Sequence, residues 1–232
     1  LDVLIKYRND KRYLSVGNML DKENKAIYGL EFSYETIPNE LNLFDYDAFK
    51  AYKGDFYCVV TNLLTCEAEY MKYTGEDRTN TVLKATCALP MLFPPIIIND
   101  TPYMDGGLTD SIPFMRALED GCDRVLVVLT REAGYTKTTS TSTKAIARYY
   151  EKEYPKLSEV MLSRAERYNE CLKQLKEYED SGKVMVIRPA VSKGFSRLEK
   201  DKNKILSMYN DGYNQGYTLT GDIKKFFNYS NS

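Results

Sequence analysis

The stretch YMDGGLTDSIPFMRALEDGCDRVLVVLT, residues 103–130, is the part of the sequence that decides the fold. An apolar segment ends at Asp105, a helix is predicted over residues 113–120, and Gly121 supplies a left-handed stop. The run DRVLVVLT, residues 123–130, is then the clearest buried strand in the chain. Strand, helix and strand with short connections predict a β-α-β unit, parallel strands and an α/β fold.

The same criteria predict further elements on both sides of this stretch. They are a short helix before a strand at 56–61, a strand at 67–71, a helix at 80–87 ended by Pro90, a hairpin of PIIIND with TPYM, helices over 144–180 broken by Pro155, a strand in KVMVIRPA and a helix over 200–227. Neither an internal repeat nor a linker is found, so we expect one domain over residues 1–232.

Composition narrows the classes of function. Hydrophobic residues make up 43% and charged residues 28%, which is typical of a globular protein. With 32 basic and 33 acidic residues, the chain lacks the charge of a nucleic-acid binder, and we expect no nucleic-acid partner. No apolar run approaches the ~20 residues of a membrane span, and no signal peptide is visible. Five scattered cysteines without C-x-x-C indicate reduced thiols. We therefore expect a cytoplasmic protein and leave a peripheral membrane contact open.

Asp105 is the candidate functional residue. It follows a predicted strand and precedes Gly106 and Gly107, where the backbone can adopt positive φ or pass close to another group. Loops after strand ends are where α/β proteins tend to place reactive groups. Asp-Gly is also a common turn signal, and on spacing alone a simple turn is the more frequent explanation. Asp110 has a plainer role, since it or Ser111 is predicted to be the N-cap of the helix that begins near Pro113.

The sequence contains no histidine, which removes several kinds of active site. A Ser-His-Asp triad, a Cys-His pair and a His-ligated metal are all excluded within this chain. Phosphate-loop and dinucleotide fingerprints are absent, and no cofactor or metal is expected. GFSRL, residues 194–198, begins like a nucleophile elbow but lacks the closing glycine, so we interpret it as a loop. What remains is an aspartate that acts as the base for a serine hydroxyl, if burial raises its pKa.

KATCALPMLFPPIIINDTPYMDGGLTDSIPFMRALEDGCDRVLVVLT, residues 84–130, resembles the second half of the catalytic domain of bacterial patatin-like phospholipases. The shared elements are a helix ending in an Ala-Ser-x-Ala-Leu-Pro pattern, Phe-Pro-Pro, a hairpin, Asp-Gly-Gly and a helix before a hydrophobic strand. YCVVTNLLTCEAEYM and YRNDKRYLSVGNML are also similar to this family. The resemblance implies a three-layer α/β/α fold with a mostly parallel central sheet. It also implies hydrolysis of lipid acyl esters by a Ser-Asp dyad, with Asp105 as carboxylate and Gly106 and Gly107 as its supporting loop.

The chain departs from the family pattern in ways that keep alternatives open. It has neither a Gly-x-Ser-x-Gly elbow nor a glycine-rich oxyanion loop, and Thr86-Cys87 and Ser111 replace the family's usual residues. We expect the nucleophile to lie N-terminal to Leu1, so that these 232 residues are a catalytic domain without its N-terminal portion and are inactive alone. The alternatives are a non-catalytic lipid- or protein-binding module and a general carboxylesterase. The oligomeric state is left open.

Overall fold

The structure, a computed structural model, describes residues 1–20, 26–191, 194–195 and 199–228, apart from the side chain of Met19. The chain divides into two compact units. The first unit consists of Asp2–Ile112 and Thr138–Ala165, and the second of Pro113–Lys137 and Glu166–Ser232 together with Leu1. The expectation of a single domain over residues 1–232 stays a prediction.

The described chain contains both helices and strands, as the sequence pattern predicts. In order they are α1 Asp2–Tyr7, a 3₁₀ helix Val16–Leu20, a π-helix Phe32–Leu41, α2 Tyr46–Ala51, β1 Tyr57–Asn62, β2 Ala68–Lys72, α3 Thr81–Thr86, β3 Ile96–Ile98, β4 Thr101–Asp105, a 3₁₀ helix Gly106–Leu108, α4 Phe114–Glu119, β5 Val125–Val128, α5 Thr141–Tyr150, α6 Pro155–Asp180, β6 Val184–Ile187, α7 Lys202–Thr218 and α8 Thr220–Phe226. The α/β class is confirmed.

The first unit contains a four-stranded sheet in the order β2-β1-β4-β3, and each neighbouring pair is antiparallel. Strands β3 and β4 form the predicted hairpin. Its two connecting residues, Asn99 and Asp100, have φ angles of 48° and 61°, the positive values that a tight two-residue hairpin turn requires. Asn and Asp tolerate this left-handed conformation better than most residues do, which explains their place here.

The core of the first unit lies against β1 and β4. Val60 of β1 and Met104 of β4 are fully buried, and Met104 packs in one cluster with Leu108 and with Leu157 of α6. Val60 packs with Ala85 of α3, so α3 covers the sheet beside the end of β4. Burial of these apolar side chains is the main stabilising contribution at this end of the sheet.

The second unit contains a two-stranded parallel sheet of β5 and β6, whose register pairs Val125 with Val184 and Val128 with Ile187. The β-α-β pairing predicted for β4, α4 and β5 is wrong, because β4 and β5 belong to different sheets. The physical reason is that both edges of β4 are occupied, by β1 on one side and β3 on the other. The parallel neighbour of β5 is β6, which follows it after helices α5 and α6.

The ends of α4 and of the last helix differ from the prediction. Helix α4 begins at Phe114 with Pro113 as its N-cap, and neither Asp110 nor Ser111 caps it. Gly121 has φ 96° and is the predicted left-handed stop. The last helix is split at Leu219 into α7 and α8.

The break at Pro155 between α5 and α6 is confirmed. Ser196 to Leu198 of the GFSRL segment lie outside the described residues, so its interpretation as a loop stays a prediction. Over the part of the chain that the structure describes, no helix has both the length and the apolar character that a bilayer crossing requires.

Candidate functional site

Asp105 is the last residue of β4, and its backbone is held on both sides. Its N–H donates to the carbonyl of Ala88 at 3.0 Å, and its carbonyl accepts from Thr61 Oγ1 at 2.8 Å. In the sheet register it lies opposite Val60 of β1. Since Thr61 is fully buried, this end of β4 is anchored to the interior of the sheet. The position of the Asp105 Cα is therefore set by packed, regular structure.

The orientation of the Asp105 carboxylate is set by the residue two positions on. Its Oδ1 accepts from the Gly107 N–H at 2.7 Å, which makes Asp105 the N-cap of the 3₁₀ helix Gly106–Leu108. A hydrogen bond from a backbone N–H restricts the carboxylate to one rotamer without the entropy cost of a second mobile side chain. The Asp105 side chain is half-buried, so it remains within reach of the surface.

Gly106 allows the loop to lie directly on β1. A Cβ at this position would be 2.2 Å from the carbonyl oxygen of Val59, far inside van der Waals contact. Neither Gly106 nor Gly107 has a positive φ angle. Of the two reasons that the sequence offered for the glycines, close approach is therefore found and the left-handed conformation is not.

The carbonyl of Gly107 receives two donors that fix the loop from the other side. Ser111 Oγ donates to it at 2.7 Å, and Arg164 Nε of helix α6 donates to it at 2.5 Å. A Cβ on Gly107 would be 2.9 Å from Asp105 Oδ1 and 3.2 Å from Arg164 Nη2. The carboxylate and the guanidinium thus border the same small space above Gly107, and this residue is held at both its N–H and its C=O.

Sequence reasoning missed Arg164. It lies 57 positions after Gly107, within a long helical segment whose charges fit a solvated face. A single arginine at helical spacing carries no signal that distinguishes it from its neighbours.

Asp110 was predicted as a helix cap, but its Oδ2 accepts from the Tyr70 hydroxyl at 2.6 Å and its Oδ1 from the Ile112 N–H at 3.2 Å. Asp110 therefore braces the loop against β2.

The side chains of Cys87 and Tyr34 interact with each other and with the charge of Asp105. The Cys87 residue reaches the surface, but protein atoms surround its thiol. This desolvation raises the pKa of the Cys87 thiol, the Tyr34 hydroxyl opposes the rise, and the Asp105 charge adds to it. Desolvation also raises the pKa of Tyr34 well above its usual range. Cys87 is therefore protonated near neutral pH and is a poor nucleophile.

The segment of the chain that contains Asp105 matches a known family model. The family model "Patatin-like phospholipase" matches residues 8–118, slightly less than half of the chain, and this segment contains Asp105, Gly106 and Gly107. A second family model, "Domain of unknown function (DUF6363)", matches residues 154–228 and contains Arg164. A search of the curated proteins finds no match. The first match suggests a family of lipid acyl hydrolases, and the α/β structure fits a patatin-like fold.

Proposed function

We propose that this chain supplies the carboxylate of a Ser-Asp dyad in a lipid acyl hydrolase, with Asp105 as the general base. The observation that carries the proposal is the fixed Asp105 carboxylate at the end of β4, held by the Gly107 N–H at 2.7 Å. It lies within the segment that matches the Patatin-like phospholipase model. Gly106 and Gly107 form the supporting loop, and the proposed unit of activity is one patatin-like catalytic domain that includes this chain.

The proposed reaction proceeds in two steps. Asp105 accepts the proton of a serine hydroxyl, the serine oxygen attacks the acyl carbonyl, and the alcohol leaves with the proton to form an acyl-enzyme. Water then attacks the acyl-enzyme ester with Asp105 again as base, the bond to the serine oxygen breaks as that oxygen takes the proton back from Asp105, and the free acid is released. The 232 residues contain no Gly-x-Ser-x-Gly segment, so we propose that the serine and the oxyanion donors come from sequence outside them. No cofactor is involved.

Arg164 is proposed as a positioning residue for this base. It does not act on the substrate, but its bond to the Gly107 carbonyl holds the residue whose N–H orients Asp105. Because productive proton transfer requires heavy atoms within roughly 2.6–3.2 Å, a small shift of Gly107 would misplace the carboxylate. The chemistry therefore depends on a contact between α6 and the 3₁₀ helix that follows β4.

The test uses the complete gene product and a fluorophosphonate probe. We expect the probe to modify a serine outside these 232 residues, and Asp105→Asn to lower both labelling and ester turnover by about 10²-fold or more. The matched control is Asp110→Asn, since Asp110 lies on the same loop but its contacts are structural. That variant should keep its activity.

Two outcomes would contradict the proposal. Near-normal turnover by Asp105→Asn would return Asp105 to the role of a turn residue. A folded complete protein that the probe does not label would favour a non-catalytic lipid- or protein-binding module instead. The 232-residue chain alone is expected to leave a nitrophenyl ester intact, and clear turnover by it would mean that the nucleophile lies within this sequence.

The proposed setting is the cytoplasm, with a peripheral contact at a lipid surface where the substrate resides. The family match supports a lipid substrate, and lipids are presented as aggregates.

A further inference from the structure

A cavity of about 550 Å³ lies within the second unit, at the carboxyl ends of its two parallel strands. Leu129, directly after β5, and Arg188, directly after β6, both line it. In open α/β sheets, ligands bind in the crevice outside the carboxyl ends of the strands. The volume also falls in the range of small-molecule sites, roughly 300–1,000 Å³.

The floor of the cavity is apolar. Leu175 of α6 is 1% exposed and Leu129 is 9% exposed, and Leu172 lies on the same helix one turn before Leu175. Tyr135 and Tyr168 meet edge to face, with ring centroids 6.1 Å apart, and form one wall. Such a surface favours an alkyl chain or another apolar body.

Hydrogen bonds within the protein fix the walls of the cavity in the absence of a ligand. The Asn169 side chain accepts from the Lys137 N–H at 2.8 Å and donates to the Lys137 carbonyl at 2.9 Å, which ties the loop 131–137 to helix α6. Gln215 of α7 donates to the carbonyl of Arg188 at 2.8 Å and fixes the other rim. A site that is already ordered loses little conformational entropy on binding.

The rim carries an excess of positive charge. Four basic residues line the cavity against one acidic residue, Glu132; the basic residues are Arg131, Lys173, Lys176 and Arg188. Lys173, Lys176 and Arg188 contact acidic side chains outside the cavity, and solvent-accessible pairs of this kind contribute little and exchange readily. The Arg131 guanidinium lies 4.9 Å from the centre of the Tyr135 ring and forms no ion pair among the described residues.

We propose that this cavity binds a small anionic amphiphile, a free medium-chain carboxylate, with its alkyl chain on the leucine and tyrosine floor and its carboxylate at Arg131. The excess of basic side chains at the rim favours binding of an anion, and the apolar floor favours a ligand with a hydrocarbon chain. The proposal does not depend on the hydrolase function, because binding is measured without turnover.

The test is calorimetric titration of the complete protein with decanoate below its micelle concentration. We expect saturable binding, and octanoate should bind roughly 10-fold more weakly because two buried methylenes are lost. Arg131→Gln should weaken decanoate binding about fivefold or more, and Arg131→Glu further. Arg148→Gln is the matched control, since Arg148 is an exposed arginine of α5 that does not line the cavity. Circular dichroism confirms that each variant is folded.

Three results of the titrations would overturn the proposal. They are the absence of saturable decanoate binding, equal binding of decyltrimethylammonium, and decanoate binding that Arg131→Gln and Arg131→Glu leave unchanged. Binding of the protein to phosphatidylglycerol vesicles through Arg131, without competition by decanoate, would also overturn it, because the anion would then belong to a lipid surface. Loss of the hydrolase activity in Asp105→Asn has no bearing on any of these results.

Discussion

At the scale of single residues, close contacts of the Gly106 and Gly107 backbone define the Asp-Gly-Gly loop. Gly106 lies against the carbonyl of Val59, where any side chain would collide. Gly107 is held at its N–H by Asp105 and at its C=O by Ser111 and Arg164. Gly106 therefore has a structural reason for its identity before any catalytic role is considered.

Gly106→Ala is expected to destabilise the first unit strongly. The new Cβ would be placed 2.2 Å from the Val59 carbonyl oxygen, so β1 and the loop must separate. The expected loss in the free energy of unfolding is about 2–3 kcal/mol, measured by urea denaturation. Gly212→Ala is the control, because Gly212 lies inside α7 with no atom within 4 Å of the added Cβ. In that variant the free energy of unfolding should rise by about 0.5–1 kcal/mol. Equal stability of the two variants would contradict the contact with β1.

Arg164→Ala in the complete protein is expected to lower kcat by about 10-fold or more while KM changes little, because the base is misplaced and substrate binding is not. Arg164→Lys should recover part of kcat, since an ammonium group can still donate to the Gly107 carbonyl. Steady-state kinetics on both variants provide the measurement, with thermal unfolding as the folding control.

A double-mutant cycle separates this role from the dyad itself. If Arg164 acts through Asp105, adding Arg164→Ala to the Asp105→Asn variant should not lower kcat any further. Wild-type kcat in Arg164→Ala, with Asp105→Asn inactive, would remove Arg164 from the proposal and leave the dyad intact.

At the scale of elements, helix α3 depends on the segment that precedes it. Asp77 Oδ1 accepts from the Thr79 N–H at 2.9 Å, and Asp77 Oδ2 accepts from the Thr81 N–H at 2.8 Å at the start of α3. Burial raises the pKa of Asp77, but the hydrogen bonds from Thr79 and Thr81 outweigh it and lower the pKa from 3.8 to about 2. The ionised carboxylate therefore stabilises the helix start.

Asp77→Asn should lower the free energy of unfolding at pH 7 by about 1 kcal/mol, a figure reduced for the solvent exposure of Asp77. The folded-state pKa is below the unfolded value, so this contribution is complete above the unfolded pKa and is lost as pH falls. The difference between variant and wild type should therefore shrink between pH 3.8 and about 2. Urea denaturation over this pH range measures it, with Asp211→Asn on the exposed face of α7 as control. A difference that is independent of pH would refute the assignment.

At the scale of the whole molecule, the two family matches meet in one site. The catalytic candidate Asp105 lies within residues 8–118, and Arg164, which holds its loop, lies within residues 154–228. Both residues belong to the first compact unit, so the segment of unknown function contributes structure to the site next to β4. We therefore expect that changes in the second matched segment can affect the activity of the first.

The substrate class is also a property of the complete protein. A lipid acyl hydrolase should turn over an ester faster once the substrate forms micelles, because its active site receives lipid from an aggregate. A general carboxylesterase should follow the monomer concentration and show no rise at the micelle concentration. Turnover of one ester series on both sides of that concentration distinguishes the two, and a flat profile would reject the lipase.

The sequence by itself determined the features that depend on neighbouring residues. Local period and turn chemistry predicted the β3–β4 hairpin at Asn99 and Asp100, the helix break at Pro155, and a candidate carboxylate at Asp105. The folded structure alone shows that β4 also pairs with β1, that Gly106 lies against the Val59 carbonyl, and that Arg164 bonds to Gly107. These contacts join residues 40 or more positions apart, such as Thr61 with Asp105 and Arg164 with Gly107. Local propensity does not encode such contacts, since they form only when packed elements bring distant backbone groups together.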